Sequence, residues 1–188
     1  MKAKMTCMLL TGLFFLLIVS AQFTPGIKAG VSFAHLSGFT GNDRVGVHGG
    51  LFLHHTIDAH WCVQPEILYS SEGQRYFDAG EERTLALNYI QVPVMIQYYA
   101  TRQFYFEAGP QFGLLINAQD KGNDGDFNAK SDFPTGQVGI NIGLGMNFTH
   151  QVGIYGRYCF GLTDVSKFDN IVDHSQVGQI GLAVRFNH

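Results

Sequence analysis

Charged residues are scarce in this chain of 188 residues. Lys and Arg number 12 and Asp and Glu number 15, so charged residues make up 14% of the sequence and the formal net charge is −3. No basic excess is present to bind nucleic acid, and that class of partner is excluded. The fraction of charged residues is also low for a soluble globular domain. The chain is long enough for one domain with a sizeable core.

Cysteine and long apolar runs are equally rare in the body of the chain. Beyond Cys7, the sequence contains only Cys62 and Cys159, and two cysteines do not form a disulfide framework. The strand positions given below place Cys62 and Cys159 near opposite ends of their strands, too far apart for a disulfide bond. We therefore expect two free, buried thiols. After residue 21, no segment is apolar enough to form a membrane-spanning helix.

The first residues have the pattern of a secretory signal peptide. A positive segment, Met1-Lys2-Ala3-Lys4, precedes an apolar run over 8–19, and Val19-Ser20-Ala21 offers the small residues that a signal peptidase recognises. The apolar run is shorter than the roughly 20 residues of a spanning helix, which disfavours an uncleaved anchor. We therefore predict a cleaved signal peptide over 1–21 and a single mature domain over 22–188.

Glycine and aromatic residues are abundant, with 23 Gly and 16 Phe, and the mature sequence alternates between apolar and polar or small residues. The clearest example covers residues 137–148. A period of two indicates a strand with one apolar and one polar face. The same alternation occurs eight times and predicts an all-β fold with eight antiparallel strands near 27–34, 45–57, 60–70, 89–99, 104–117, 137–148, 154–162 and 179–186.

The links between these strands alternate in length. Short links lie near residues 58–59, 101–102 and 150, whereas long polar links lie at 37–44, 72–84, 120–134 and 163–175. Short turns at one end and long loops at the other are typical of bacterial outer-membrane barrels, whose short turns are periplasmic and whose long loops are extracellular. The acidic stretch within 120–126 is predicted to be a solvated loop. Matching of faces predicts three-residue turns that pair Ile57 with Trp61 and Phe148 with Val152.

The composition of the two faces predicts which one lies inside. An eight-stranded barrel is just wide enough to be filled by side chains, and the small and polar residues of one face suit that filling. Unbroken apolar rows on the outside require lipid, whereas a soluble ligand-binding barrel would point them inward. The inward charges are predicted to form a luminal polar network of Lys28, Glu66, Glu107, Arg157 and Arg185.

Outward aromatic residues near the strand ends predict an interfacial girdle. At the end with the short turns, the girdle comprises Trp61, Tyr98, Phe104, Phe148 and Phe186.

Three prolines fall within predicted strands. Because proline has no N–H to donate to a neighbouring strand, Pro65, Pro93 and Pro110 predict local bulges or ends of pairing.

Two consecutive segments carry a resemblance to a known family. Asn88–Tyr99 reads NYIQVPVMIQYY and Phe104–Gly113 reads FYFEAGPQFG. This spacing of Tyr-x-x-Val-Pro and Ala-Gly-Pro resembles the outer-membrane β-barrel (porin-like) family common in Bacteroidetes. The resemblance implies an eight-stranded up-and-down transmembrane β-barrel in the cell outer membrane, in contact with outer-membrane lipids, lipopolysaccharide and the barrel assembly machinery. It supplies no substrate, catalytic residue or transport activity.

One feature departs from the family pattern. Such barrels usually end on an aromatic residue, whereas Asn187-His188 follow Phe186 here. The departure bears on how the assembly machinery recognises the chain.

Residue patterns for catalysis or metal binding are weak. His54 and His55 point to opposite faces and cannot hold one ion together, and no other spacing of the eight histidines predicts a zinc site. His35 and Ser37 share a face, but no orienting acid accompanies them. We therefore predict no metal, no cofactor and no enzymatic activity.

Two classes of function fit these patterns. The first is a structural or interaction protein with a plugged polar interior, which acts through its extracellular loops on a protein or other surface partner. The second is a small-solute channel. A lipid-modifying enzyme and a soluble ligand-binding barrel are less favoured.

Overall fold

The protein is described by a computed structural model that covers residues 23–36, 41–78, 81–122, 125–128, 135–164 and 174–186. Within these ranges the regular elements are strands, and no helix there is long and apolar enough to cross a membrane. The predicted signal peptide lies outside the described residues. The strands are β1 Phe23–Leu36, β2 Gly41–Thr56, β3 Trp61–Asp78, β4 Glu81–Tyr99, β5 Phe104–Gly122, β6 Gly125–Asn128, β7 Gly136–Asn147, β8 Val152–Asp164 and β9 His174–Arg185.

Eight long strands form a closed antiparallel barrel. Each of them pairs with its neighbours along the chain, and β1 also pairs with β9, from Gly26 opposite Arg185 to Leu36 opposite Ser175. The short strand β6 continues the sheet above β7 by pairing with the last residues of β5. The predicted eight-stranded up-and-down barrel is confirmed, with β6 as an addition outside the closed ring.

The alternation of the sequence determines which side chains face the interior of the barrel, here called the lumen. In β7, the side chains of Ile140, Ile142 and Leu144 are 46%, 48% and 50% exposed on the outer surface, whereas Asn141 is completely buried. Several large apolar residues depart from the polar pattern of the inner face and help to fill the lumen, among them Phe52, Leu68, Met95 and Leu115.

The strands extend further at the long-loop end than the sequence predicts. The link expected at 72–84 is mostly strand, because β3 and β4 remain paired up to Asp78 opposite Glu81. Within the stretch expected to be a solvated loop at 120–126, β5 runs to Gly122 and β6 begins at Gly125. Polar residues end the alternation but not the pairing, since each strand already has a partner whose backbone groups can continue the ladder.

The short turns have the predicted length. The N–H of Ile57 donates to the carbonyl oxygen of Trp61 at 2.8 Å, and that of Phe148 donates to Val152 at 2.9 Å. We define the short-turn end of the barrel as the end that carries these turns and the β4–β5 link.

The short turns lack the glycine that such turns often contain, and side-chain hydrogen bonds stabilise them instead. The carboxylate of Asp58 accepts hydrogen bonds from the N–H groups of His60 at 2.8 Å and Trp61 at 2.9 Å. These bonds hold the pKa of Asp58 below its usual value. The hydroxyls of Thr101 and Thr149 accept equivalent bonds in the other two turns. Local side-chain acceptors thus fix all three turns.

The prolines interrupt the ladders without shifting the register. Each one coincides with a two-residue gap in the pairing to the preceding strand. Each still has a partner on the following strand, as Pro65 has Val94, Pro93 has Gln111 and Pro110 has Ile140. The gap lies on the side where the missing N–H would donate. Of the two predicted alternatives, the structure shows local ends of pairing at these sites and not bulges.

Glycines make room in the lumen for tyrosine rings. A Cβ added to Gly145 would lie 2.4 Å from the ring of Tyr105, and one added to Gly181 would lie 2.9 Å from the hydroxyl of Tyr155. Large inward rings therefore require glycine on the neighbouring strand.

Candidate functional site

The centre of the lumen holds a buried network of charged side chains. The carboxylate of Glu66 on β3 accepts hydrogen bonds from Lys28 Nζ at 2.8 Å and from Gln64 Nε2 at 2.8 Å. The guanidinium of Arg157 on β8 makes a bidentate contact with the same carboxylate, through Nη1 at 3.0 Å and Nη2 at 2.9 Å. Glu66 is thus the acceptor that joins both cations.

The remaining donor of the arginine reaches a second carboxylate. Arg157 Nε donates to Glu107 Oε1 on β5 at 2.8 Å, and Gln97 Nε2 donates to Glu107 Oε2 at 3.0 Å. The paired side chains are at most 1% exposed. Two cations and two anions make the network neutral, which is the arrangement that buried charges require.

Aromatic and hydroxyl groups surround this network. The ring centroid of Tyr155 lies 4.3 Å from Lys28 Nζ and 5.5 Å from the guanidinium carbon of Arg157. The hydroxyl of Tyr155 is hydrogen-bonded to His48 Nε2, and His48 Nδ1 is bonded to the hydroxyl of Ser32 at 2.8 Å. Cation–π contacts and hydrogen bonds therefore connect the charges to the barrel wall.

Above the charges, toward the long-loop end, the lumen is filled by amide side chains. Asn141 Nδ2 donates to Gln111 Oε1 at 2.9 Å, and Gln111 Nε2 contacts Cys159 Sγ at 3.4 Å. Cys159 and Cys62 are both buried and free, as predicted. The lumen is therefore closed by side chains over several layers.

The structure brings together four of the five residues predicted for the luminal network, namely Lys28, Glu66, Glu107 and Arg157. Arg185 lies apart from them, because it stands opposite Gly26 at the short-turn end of β9 and lines a cavity there.

Sequence reasoning missed three groups that complete the network: Gln64, Gln97 and the chain from Tyr155 through His48 to Ser32. Their inward positions were visible in the alternation, but nothing in the sequence set their heights in the barrel.

The residues predicted for the aromatic girdle lie on the outer surface near the short-turn end. Trp61 and Tyr98 are 44% and 40% exposed and their rings pack with centroids 5.0 Å apart. Phe148 and Phe186 are about half exposed, and Phe104 packs edge-on against Phe106. Their positions are those of an interfacial belt.

Within the described part of the chain, no group of three His, Cys, Asp or Glu residues is arranged to hold a metal ion. His35 falls among residues whose side chains the structure does not describe, and Ser37 lies outside the described residues altogether.

The closed barrel, its exposed apolar belt and its polar lumen agree with a family match. The family described as outer membrane protein β-barrel domain matches residues 20–167. The chain belongs to this family. It is accordingly a small outer-membrane β-barrel, and its location is the outer membrane.

Solved structures show the same fold for this outer-membrane barrel. Neisserial surface protein A is 14% identical, with a TM-score of 0.58, and the match covers 87% of this chain and 97% of that one. Ail, the attachment invasion locus protein of Yersinia pestis, solved in complex with the heparin analogue sucrose octasulfate, is 15% identical with a TM-score of 0.50. That match covers 88% of this chain and 99% of Ail. A search of curated protein sequences found no match.

Proposed function

We propose that this outer-membrane barrel is a closed structural or interaction protein that acts through its long-loop end. The observation that carries the proposal is the buried network of Lys28, Glu66, Glu107 and Arg157, which fills the middle of the lumen. A solute would have to break ion pairs between almost completely buried charges in order to pass, and that is costly.

The long-loop end provides the surface for partners. Paired strands β3 and β4 extend to Asp78 and Glu81, nine residues along each strand from Tyr69 and Ile90. In this proposal the long loops are extracellular and contact a protein or other surface partner. The apolar belt contacts outer-membrane lipids and lipopolysaccharide, and the barrel assembly machinery inserts the chain.

Cysteine labelling on intact cells tests the orientation. We expect a membrane-impermeant maleimide to label Glu81→Cys, at the tip of β3–β4, on intact cells. The matched variant Gln103→Cys, in the exposed β4–β5 turn, should react only after the outer membrane is broken. The native thiols of Cys62 and Cys159 are buried, so the background should be low. The opposite labelling pattern would reverse the assigned orientation.

A small-solute channel is the second candidate, and one observation favours it. Among the described residues, four buried amide oxygens accept no hydrogen bond, namely those of Gln91, Gln97, Asn141 and Gln179. Such acceptors could bind water or a cation along a path through the lumen.

Conductance in planar bilayers separates the two candidates. We expect the purified barrel to give no stable conductance steps, because an eight-stranded lumen is filled by side chains. A porin with 16 to 18 strands, in the same bilayer, serves as the positive control. Reproducible unitary steps from the purified barrel would favour the channel instead.

We also propose that the protein is not an enzyme. The hydrogen-bonded Ser32 and His48 form a hydroxyl–base pair of the kind that nucleophilic catalysis uses. Both side chains are at most 3% exposed inside the filled lumen, so a substrate could not reach them.

A further inference from the structure

A cavity of about 580 Å³ opens at the short-turn end of the barrel, and nothing in the proposed function uses it. Each of the three short turns contributes one basic side chain to its lining: His60 from β2–β3, Arg102 from β4–β5 and His150 from β7–β8. Arg185 from the end of β9 and the buried His54 of β2 also line it. We call this cavity the basic mouth.

The positive charge of the basic mouth is only partly compensated. Within the described part of the chain, neither Arg102 nor Arg185 has a carboxylate within ion-pair distance. Asp58 is the one acidic residue of the lining, and its carboxylate already accepts hydrogen bonds from the N–H groups of His60 and Trp61. The lining therefore carries two positive guanidinium groups and only one carboxylate, and that carboxylate is already hydrogen-bonded to the backbone.

Neutral hydrogen-bond donors accompany these charges. The hydroxyl oxygen of Tyr99 accepts a bond from Asn147 Nδ2 at 3.3 Å and lies near the side chain of Arg185, so its own O–H can donate to a ligand. Thr56 also lines the cavity. Guanidinium groups match the oxygen atoms of phosphate in pairs, and hydroxyl donors can bind the remaining oxygens.

We propose that the basic mouth binds a small phosphate-bearing solute. Its volume lies within the range of small-molecule sites and exceeds what a single inorganic ion would fill. The cavity opens among the short turns and reaches the inward-facing side chains of His54 and Cys62, whereas the apolar belt lies on the outer surface. The ligand is therefore assigned to solution and not to a lipid headgroup.

Calorimetric titration with pyrophosphate tests the proposal. The refolded mature chain, in a detergent that contains no phosphate, should bind pyrophosphate at the mouth. Arg185→Gln should weaken binding at least tenfold, because its guanidinium stands beside the hydroxyl of Tyr99. Arg102→Gln, which changes an exposed side chain of the β4–β5 turn, should weaken binding about threefold.

The matched control is Arg83→Gln, which removes the same charge from β4 near the long-loop end. It should bind pyrophosphate as the unmodified protein does. No binding by the unmodified protein, or an equal loss in Arg83→Gln, would overturn the proposal.

A second titration in phosphatidylcholine vesicles distinguishes the sources of phosphate. Unchanged affinity supports a soluble ligand, whereas a marked loss would assign the mouth to lipid headgroups and contradict the proposal.

Discussion

Replacing Glu66 by Gln is expected to lower the free energy of unfolding by about 3–5 kcal/mol, because one partner of a buried charge network is removed. Lys28 and Arg157 would lose the negative charge that neutralises them, and Arg157 would lose one bond of its bidentate contact. The glutamine amide keeps one acceptor oxygen but replaces the other with an NH2 donor, which cannot accept a bond from either cation. Neither cation can move into water, since both are buried in the middle of the lumen. Urea titration of the barrel in phospholipid vesicles, followed by the fluorescence of Trp61, measures the change.

Glu107→Gln is the graded control for this prediction. Glu107 accepts one bond from Arg157, which would keep its bidentate contact with Glu66. The expected loss is therefore smaller, about 1.5–3 kcal/mol, the range for a hydrogen bond to a charged group. Equal stabilities of the two variants and the unmodified protein, within about 0.5 kcal/mol, would show that the network does not stabilise the barrel.

Replacing Ile142 by Arg is expected to lower the free energy of unfolding in a bilayer by about 2–4 kcal/mol, the cost of a basic side chain at the midplane on the lipid face. Ile142 lies in the middle of β7, opposite Ala108 and Tyr158, and is 48% exposed on the outer surface. An arginine there would have to reach the headgroups through the apolar belt. The same urea titration in vesicles measures the effect.

The matched variant is Ile57→Arg. Ile57 is also exposed and apolar, at 61%, but it lies at the short-turn end beside Trp61. A charge near the interface costs only about 0–1 kcal/mol. Equal and small effects at both positions would mean that the apolar rows do not face hydrocarbon, and would contradict the depth assigned to β7.

The extent of the strands could be predicted only where apolar and polar residues alternate. β7 was predicted over 137–148 and is observed over Gly136–Asn147, because its alternation is unbroken. β3 and β4 were predicted to end near Ser70 and to begin near Tyr89, yet they remain paired to Asp78 and Glu81. Beyond the apolar belt neither face has to be apolar, so the sequence carries no periodic signal even though the ladder continues.

The candidate site was predictable in composition but not in geometry. Glu66, Glu107 and Arg157 were recognised because a charge on the inner face of a filled barrel needs a partner. The alternation did not distinguish them from Arg185, which shares that face but lies at the mouth. The basic residues of the mouth come from separate segments of the chain, and no pattern in the sequence connects them.

The sequence by itself determined which side chains face lipid and which face the lumen, the number of barrel strands and the length of the short turns. These properties depend on neighbouring residues along one strand or across one turn, so a local pattern contains them. The tertiary structure decided which inward charges meet. Glu66 and Arg157 are separated by 91 residues, and only the stagger of strands around the closed barrel places them at the same height.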